Sequence, residues 1–155
     1  MPGAASLDAA RYYAHPRNRF WPLVAALLGF DAQAGYDDRL VALQRRGVGL
    51  WDVIARCERR GSLDASIRRD SIVANPLPAA MAALPQLRAV ACNGGEAHRA
   101  WLRHVAGQLP SALQALPVLA LPSTSPANAA INLARLQQAW AAIVPYLGPA
   151  GEGQG

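Results

Sequence analysis

From Arg19 to about Leu28 apolar residues return every three or four positions, the period of a helix with one buried face. Pro22 fits such a helix only in the first turn, where its missing N–H has no carbonyl to meet. A second helix is predicted from Tyr36 to Arg46, stopped by Gly47, the residue type that takes a left-handed backbone past a helix end. The stretch VGLWDVIARC then holds enough β-branched and aromatic residues for a strand, with a helical continuation as the alternative. RRGSLDASIRRDS reads as a polar, arginine-bearing connection.

The second half alternates more regularly. LRAVAC is a short apolar run ending at NGG, followed by a helical stretch from Glu96 to about Val105. PVLAL is another, ending at PSTSP and followed by a helix from Pro126 to about Tyr146. Two apolar strands, each followed by a loop and a helix, imply parallel strands joined by crossovers and an α/β domain. Sheets of this kind bind ligands at the carboxyl ends of their strands, which puts Asn93, Gly94, Gly95, Ser123, Thr124 and Ser125 at the expected site. The segment MPGAASL resembles a loop that follows a first strand, yet it opens the chain. The chain is therefore expected to begin inside its gene and to lack a central strand. One domain is expected over residues 1–147, with a disordered, apolar-poor tail, GPAGEGQG, at 148–155.

Composition narrows the function classes. With 155 residues and 52% hydrophobic content the chain can bury its own core. It has no apolar run of the roughly 20 residues that span a bilayer and no secretory leader pattern, so a cytoplasmic location is expected by default. Cys57 and Cys92 are too far apart for a metal-binding pair and are expected as separate reduced thiols, so no metal is implied. The net charge of +5 favours an anionic partner. All fifteen basic residues are arginine, a bias that a GC-rich genome produces by itself, so the sign of the charge carries more weight than the residue type. Eleven of the fifteen fall at or before Arg69, which assigns the anion-facing surface to the first half.

The stretch YYAHPRNRFWP, Tyr12 to Pro22, crowds aromatics, a histidine, two arginines and an asparagine together, as neither a core helix nor a disordered basic tail would. Together with MPGAASL it resembles the uracil-DNA glycosylase superfamily. The mismatch-specific branch carries a Gly-x-Asn-Pro-Gly loop and then Phe-Ala-His-Pro-x-Asn-Arg-Phe-Trp. LWDVIARCERRGSLDASI, NGGEA and LPSTSPAN shift the resemblance to the hypoxanthine-DNA (deoxyinosine) glycosylase branch, and it extends from Met1 to about Leu147.

That resemblance implies a three-layer α/β/α fold around a short parallel sheet, and an enzyme that extrudes a deaminated nucleotide from double-stranded DNA and hydrolyses its N-glycosidic bond without a cofactor, as a monomer. Hypoxanthine is the expected base, with uracil as a second. Tyr13 aligns with the aromatic that stacks on the flipped base, its alternative being a packing role; Tyr12 is open to either use. The mismatch-specific branch's loop asparagine is replaced by Met1, which cannot hold a water by hydrogen bonding. The resemblance therefore moves the chemistry to Asn18, whose carbonyl would orient a water toward the sugar C1′, with a helix N-cap as the alternative use. Asn128, expected in the first turn of the last helix, is the second catalytic candidate. Asn93 offers a donor and an acceptor to a base edge, or simply makes the turn before Gly94. Ser125, before Pro126, is a base-binding candidate at a helix start whose free N–H groups would also bind phosphate. His15, Arg17, Ser123 and Thr124 complete the DNA-facing set, His15 being equally suited to supporting its loop. A non-catalytic or truncated DNA-binding relative and a small nucleotide-binding domain are the competing readings.

Phosphate contacts release condensed counterions, so log affinity falls against log salt with a slope of about −0.9 per contact on duplex DNA. Arg17→Gln is expected to make that slope shallower by about one unit, similarly for hypoxanthine, uracil and undamaged duplexes. Binding isotherms at several salt concentrations check this, and an unaltered slope would place Arg17 off the DNA.

Overall fold

The computed structural model describes residues 12–59 and 67–149, which form two compact units. The segment MPGAASL, Arg60, Cys57's side chain and residues 150–155 lie outside what is described. The first unit takes the described residues up to His15 and Asp52–Ser123; the second takes Pro16–Trp51 and the chain from Thr124 onward.

The parallel sheet predicted for the second half is present in the first unit. Strand β3 (Val90–Asn93) pairs in parallel with β4 (Val118–Leu121), from Val90 opposite Val118 to Asn93 opposite Leu121. Helix α4 (Gly95–His104) and two short 3-10 turns, Ala106–Gln108 and Ser111–Leu113, make the crossover between them. The helix buries Ala100 and Trp101 while Glu96, Arg99 and Arg103 belong to its polar positions, and His98 and His104 are half-buried. Trp101 and Val105 join Leu109 and Cys92 in one apolar cluster, completed by Leu77 and Met81 of α3 (Leu77–Ala82). In that setting the Cys92 thiol is pushed up to about 11 by burial and stays protonated and unreactive.

Two expectations are corrected here. The residues read as a connection include a strand: β1 (Ile54–Arg59) pairs antiparallel with β2 (Ile67–Ala74), with two register shifts along the ladder. Arginines and an aspartate interrupt β2, so its own composition hides a strand that exists through its pairing with β1. Asn75 closes the open end, its N–H donating to the Val53 carbonyl at 2.8 Å and its side-chain NH2 to the carbonyl of Asp52.

The second correction lies in the other unit, where no helix starts at Pro126. Ser125 to Asn128 is a turn, closed by the Asn128 N–H on the Ser125 carbonyl at 3.0 Å and the Ala127 N–H on Ser125 Oγ at 3.2 Å. Helix α5 (Leu133–Trp140) begins after Asn132, whose side chain accepts from the Arg135 N–H at 2.9 Å, and a 3-10 turn continues it over Ala141–Tyr146. A serine–proline pair and an asparagine both signal a helix start; the side-chain bond into the first turn decides for the asparagine.

Helices α1 (Phe20–Leu28) and α2 (Tyr36–Arg45) form where the periodicity predicts them. Six of the nine α1 residues are buried, and Gly29 ends the helix in the left-handed conformation at φ 81°, donating to the Ala25 carbonyl. Gly47, at φ 73°, follows α2 as its sequence suggests. Edge-to-face aromatic contacts hold this unit: Phe20 meets Trp21 at 5.1 Å and Trp140 at 6.1 Å, and Trp21 meets Tyr36 at 6.0 Å. The Arg39 guanidinium lies 4.6 Å from the Trp21 ring centre. Arg46 ties the end of α1 to the residues after the last 3-10 turn, donating to the carbonyls of Leu28 at 2.9 Å and Gly148 at 3.0 Å while its own carbonyl accepts from the Gly148 N–H.

Replacing a capping asparagine by alanine typically costs about 1 kcal/mol. Asn132→Ala is expected to lower unfolding free energy by about that amount in denaturant titration, whereas Ser125→Ala, which removes only a turn bond, is expected to cost a few tenths.

Candidate functional site

In the first unit the chemistry gathers at the carboxyl ends of β3 and β4. Asn93 is the last residue of β3, and its side-chain NH2 donates to the Tyr13 hydroxyl at 3.3 Å. Gly94 follows at φ 98°, with its N–H on the Leu121 carbonyl at 2.8 Å. A Cβ at Gly94 would also lie 3.0 Å from the Cβ of Ser123, so both the backbone angle and the closeness of the loop after β4 require glycine. The bend after Asn93 therefore cannot relax, and the asparagine stays at the strand end.

Tyr13 has a positive φ of 55°, a conformation that costs about 1 kcal/mol or more for a residue with a large side chain. It is half-buried, with its ring 6.3 Å from that of Tyr12. The phenol is pushed up to about 12, chiefly because burial disfavours the charged form; the bond from Asn93 opposes this and the charge of Asp52 adds to it. Asp52, itself half-buried, is raised above its ordinary value by burial. Sequence reasoning missed Asp52, which stands inside LWDVIARC without any pattern that marks it as a site residue.

In the second unit Asn18 occupies a junction. Its Oδ1 accepts from the Phe20 N–H at 3.0 Å, an Asx turn that opens α1, and from the Thr124 hydroxyl at 2.9 Å. Thr124 is fully buried, and its backbone carbonyl accepts from the Arg19 N–H at 3.1 Å. The Arg19 guanidinium then donates to the carbonyls of Asn128 at 2.8 Å, Ser125 at 3.3 Å and Ile131. Arg19, considered from the sequence only as a flanking cation, thus belongs to the protein's internal bonding. Its partners lie more than a hundred residues along the chain, and no local spacing announces them.

The structure therefore brings Tyr13, Asn93 and Ser123 into one unit, and Asn18, Thr124, Ser125 and Asn128 into the other. Asn128 enters through its backbone carbonyl, and Ser125 through a turn instead of a helix start. His15 is half-buried and Arg17 exposed. Among the described residues, no helix is long and apolar enough to cross a membrane.

Comparison with known proteins follows the same lines. No protein-family model matches the chain. A hypoxanthine DNA glycosylase from Methanosarcina acetivorans is 30% identical over 146 residues, covering 92% of this chain and 85% of that protein. A hypoxanthine DNA glycosylase from Methanosarcina barkeri is 39% identical over 95 residues, 61% of this chain and 59% of that protein. The chain is also similar to a solution NMR structure from Methanosarcina acetivorans described as a candidate uracil DNA glycosylase, with a TM-score of 0.75 and 28% identity over 94% of this chain and 85% of that one. The α/β fold and its parallel sheet agree with that likeness.

Because the folded state holds the Tyr13 proton more tightly than the unfolded state does, its contribution to stability is complete below about pH 10 and is lost as pH rises toward about 12. Ultraviolet titration of phenolate is expected to show one phenol ionising near 12 in the native protein and absent from Tyr13→Phe. If the two difference curves coincide, the hydroxyl end of Tyr13 is not withdrawn from water.

Proposed function

Because this chain belongs to the hypoxanthine-DNA glycosylase branch of the uracil-DNA glycosylase superfamily, we propose that it removes hypoxanthine, and secondarily uracil, from double-stranded DNA in base excision repair. The observation that supports this most is the bond between Asn93 and Tyr13 at the carboxyl end of β3. Deamination of adenine or cytosine turns a ring nitrogen from an acceptor into an N–H donor beside a new carbonyl. An asparagine whose NH2 is on the phenol has a defined acceptor end. That oxygen suits the new N–H and opposes the lone pair of the unmodified base, and mismatched polar groups discriminate more strongly than lost contacts.

Tyr13 serves the same base in a second way. With its hydroxyl fixed and its phenol held neutral, the ring is a stacking face for an extruded nucleotide, worth about 1–3 kcal/mol per base. The strained backbone at Tyr13 is consistent with a residue placed for function at some expense of stability.

The hydrolysis balances with water alone. The bond from C1′ to the base nitrogen breaks with its electrons going to the base, the water oxygen bonds to C1′, and the water proton ends on the base or in solvent. Asn18 is the proposed catalytic amide. Arg17, being exposed, is the proposed phosphate contact in the second unit, and His15 and Ser123 are proposed DNA-facing residues of the first. The chain contains no lysine, so no Schiff base can form through a lysine side chain and the product is an abasic site. The proposed enzyme is thus a monofunctional glycosylase, acting as a monomer on cytoplasmic or nucleoid DNA.

The test is incubation with duplexes carrying hypoxanthine, uracil, xanthine or normal bases only, followed by alkali to reveal abasic sites. Strand cleavage is expected at hypoxanthine. Tyr13→Ala should lower both lesion affinity and single-turnover rate by about tenfold or more, and Asn93→Leu should abolish preference for hypoxanthine over adenine. Lesion binding without cleavage would favour a non-catalytic relative, and binding of free nucleotide in preference to DNA a nucleotide-binding domain.

A further inference from the structure

Given the glycosylase reading above, we propose that Asn18 acts as a hydrogen-bond donor: its side-chain NH2, and not its carbonyl, is the group that meets the reacting nucleotide. The usual expectation for a catalytic asparagine in such a loop is the reverse, a carbonyl that orients the attacking water. The bonding around Asn18 leaves little room for that. The Phe20 backbone N–H can only donate, so the atom 3.0 Å from it is the amide oxygen. The same oxygen lies 2.9 Å from Thr124 Oγ1, and since an amide oxygen carries no hydrogen, the hydroxyl must be the donor. Two donors therefore engage the two lone pairs of one oxygen.

The amide cannot turn over to exchange its ends. A half rotation would set its NH2 against the Phe20 N–H, two donors facing each other. Nor is the threonine free to follow such a rotation. Thr124 is fully buried, its carbonyl is held by the Arg19 N–H, and the turn after it is held by the Arg19 guanidinium on Ser125, Asn128 and Ile131. What the fixed side chain has to offer is a pair of N–H donors.

Donors act on this reaction through the charge that develops as the C1′–N bond breaks and the departing base gains electrons. A preorganised donor aimed at such charge contributes about 10²–10³ in rate in comparable acyl-transfer sites. Thr124 is then a positioning residue, since it holds the oxygen that directs the NH2.

The experiment compares wild type, Asn18→Ala, Asn18→Asp and Thr124→Val on a hypoxanthine duplex, with single-turnover rates at saturating enzyme and lesion affinity measured separately. Aspartate keeps the oxygen that accepts from Phe20 and Thr124 and replaces the NH2 with a second oxygen. Asn18→Asp is expected to fall about a hundredfold, as far as Asn18→Ala, with folding checked by thermal melting. Thr124→Val, nearly isosteric, is expected to lose about tenfold in rate at unchanged lesion affinity.

The pH profile of Asn18→Asp supplies a readout that a purely structural role would not move. A protonated carboxyl regains one O–H donor, so any residual rate should rise as pH falls. A carboxylate acting as acceptor or base would give the opposite slope. His15, Arg17 and Arg19 are the charged or titratable neighbours along the chain, and a wild-type profile run in parallel divides out their contribution. An Asn18→Asp enzyme within tenfold of wild type, a residual rate that rises with pH, or a Thr124→Val enzyme as fast as wild type would each overturn the donor assignment. A wild-type protein that releases no hypoxanthine would overturn the glycosylase reading itself.

Discussion

The arrangement of the second unit depends on the side chain of Arg19. The residues from Ser125 to Ile131 have no strand partner and precede the last helix, so most of their carbonyls find no partner in regular structure. A carbonyl shielded from water and left without a donor costs about 1–3 kcal/mol, and one guanidinium donates to three carbonyls of this loop, those of Ser125, Asn128 and Ile131. Its planar fork spans acceptors that a lysine ammonium, a single point of charge, would not reach together. The backbone of the same residue holds the Thr124 carbonyl, and its neighbours Asn18 and Phe20 close the turn that starts α1. Helix initiation, loop geometry and the orientation of the candidate catalytic amide are thus consequences of one short segment.

What the sequence revealed divides along a physical line. Helices α1 and α2, the two parallel strands and α4 were legible because their periodicity and terminal glycines act over a few residues. Strand β2 was not, because Arg68, Arg69 and Asp70 give it the composition of a loop, and its partner strand is what makes it a strand. The start of α5 was misplaced because Ser125–Pro126 is a good local signal that meets a tertiary competitor, the pull of Arg19 on the backbone that would have formed the first turn.

Among the candidate residues the same distinction holds. Tyr13, Asn18, Asn93 and Thr124 were singled out by motif, and the way they pair was not. That the Tyr13 hydroxyl meets Asn93, and that Thr124 meets Asn18, depends on chain segments far apart in sequence. Asp52 went unnoticed for a related reason: the burial that raises its carboxyl is a property of the fold and leaves no mark on its neighbours in the chain.

The left-handed backbone at Tyr13 has an implication for how this protein responds to selection. Glycine or asparagine accepts that backbone angle with less strain than tyrosine, so a library sorted for expression or heat resistance alone sets that relief against the contacts of the ring and hydroxyl. Wherever the relief of strain outweighs those contacts, such sorting discards the aromatic ring and the hydroxyl bonded to Asn93. On the proposed stacking role, tyrosine would persist at this position in a population of variants only as long as activity is selected alongside stability.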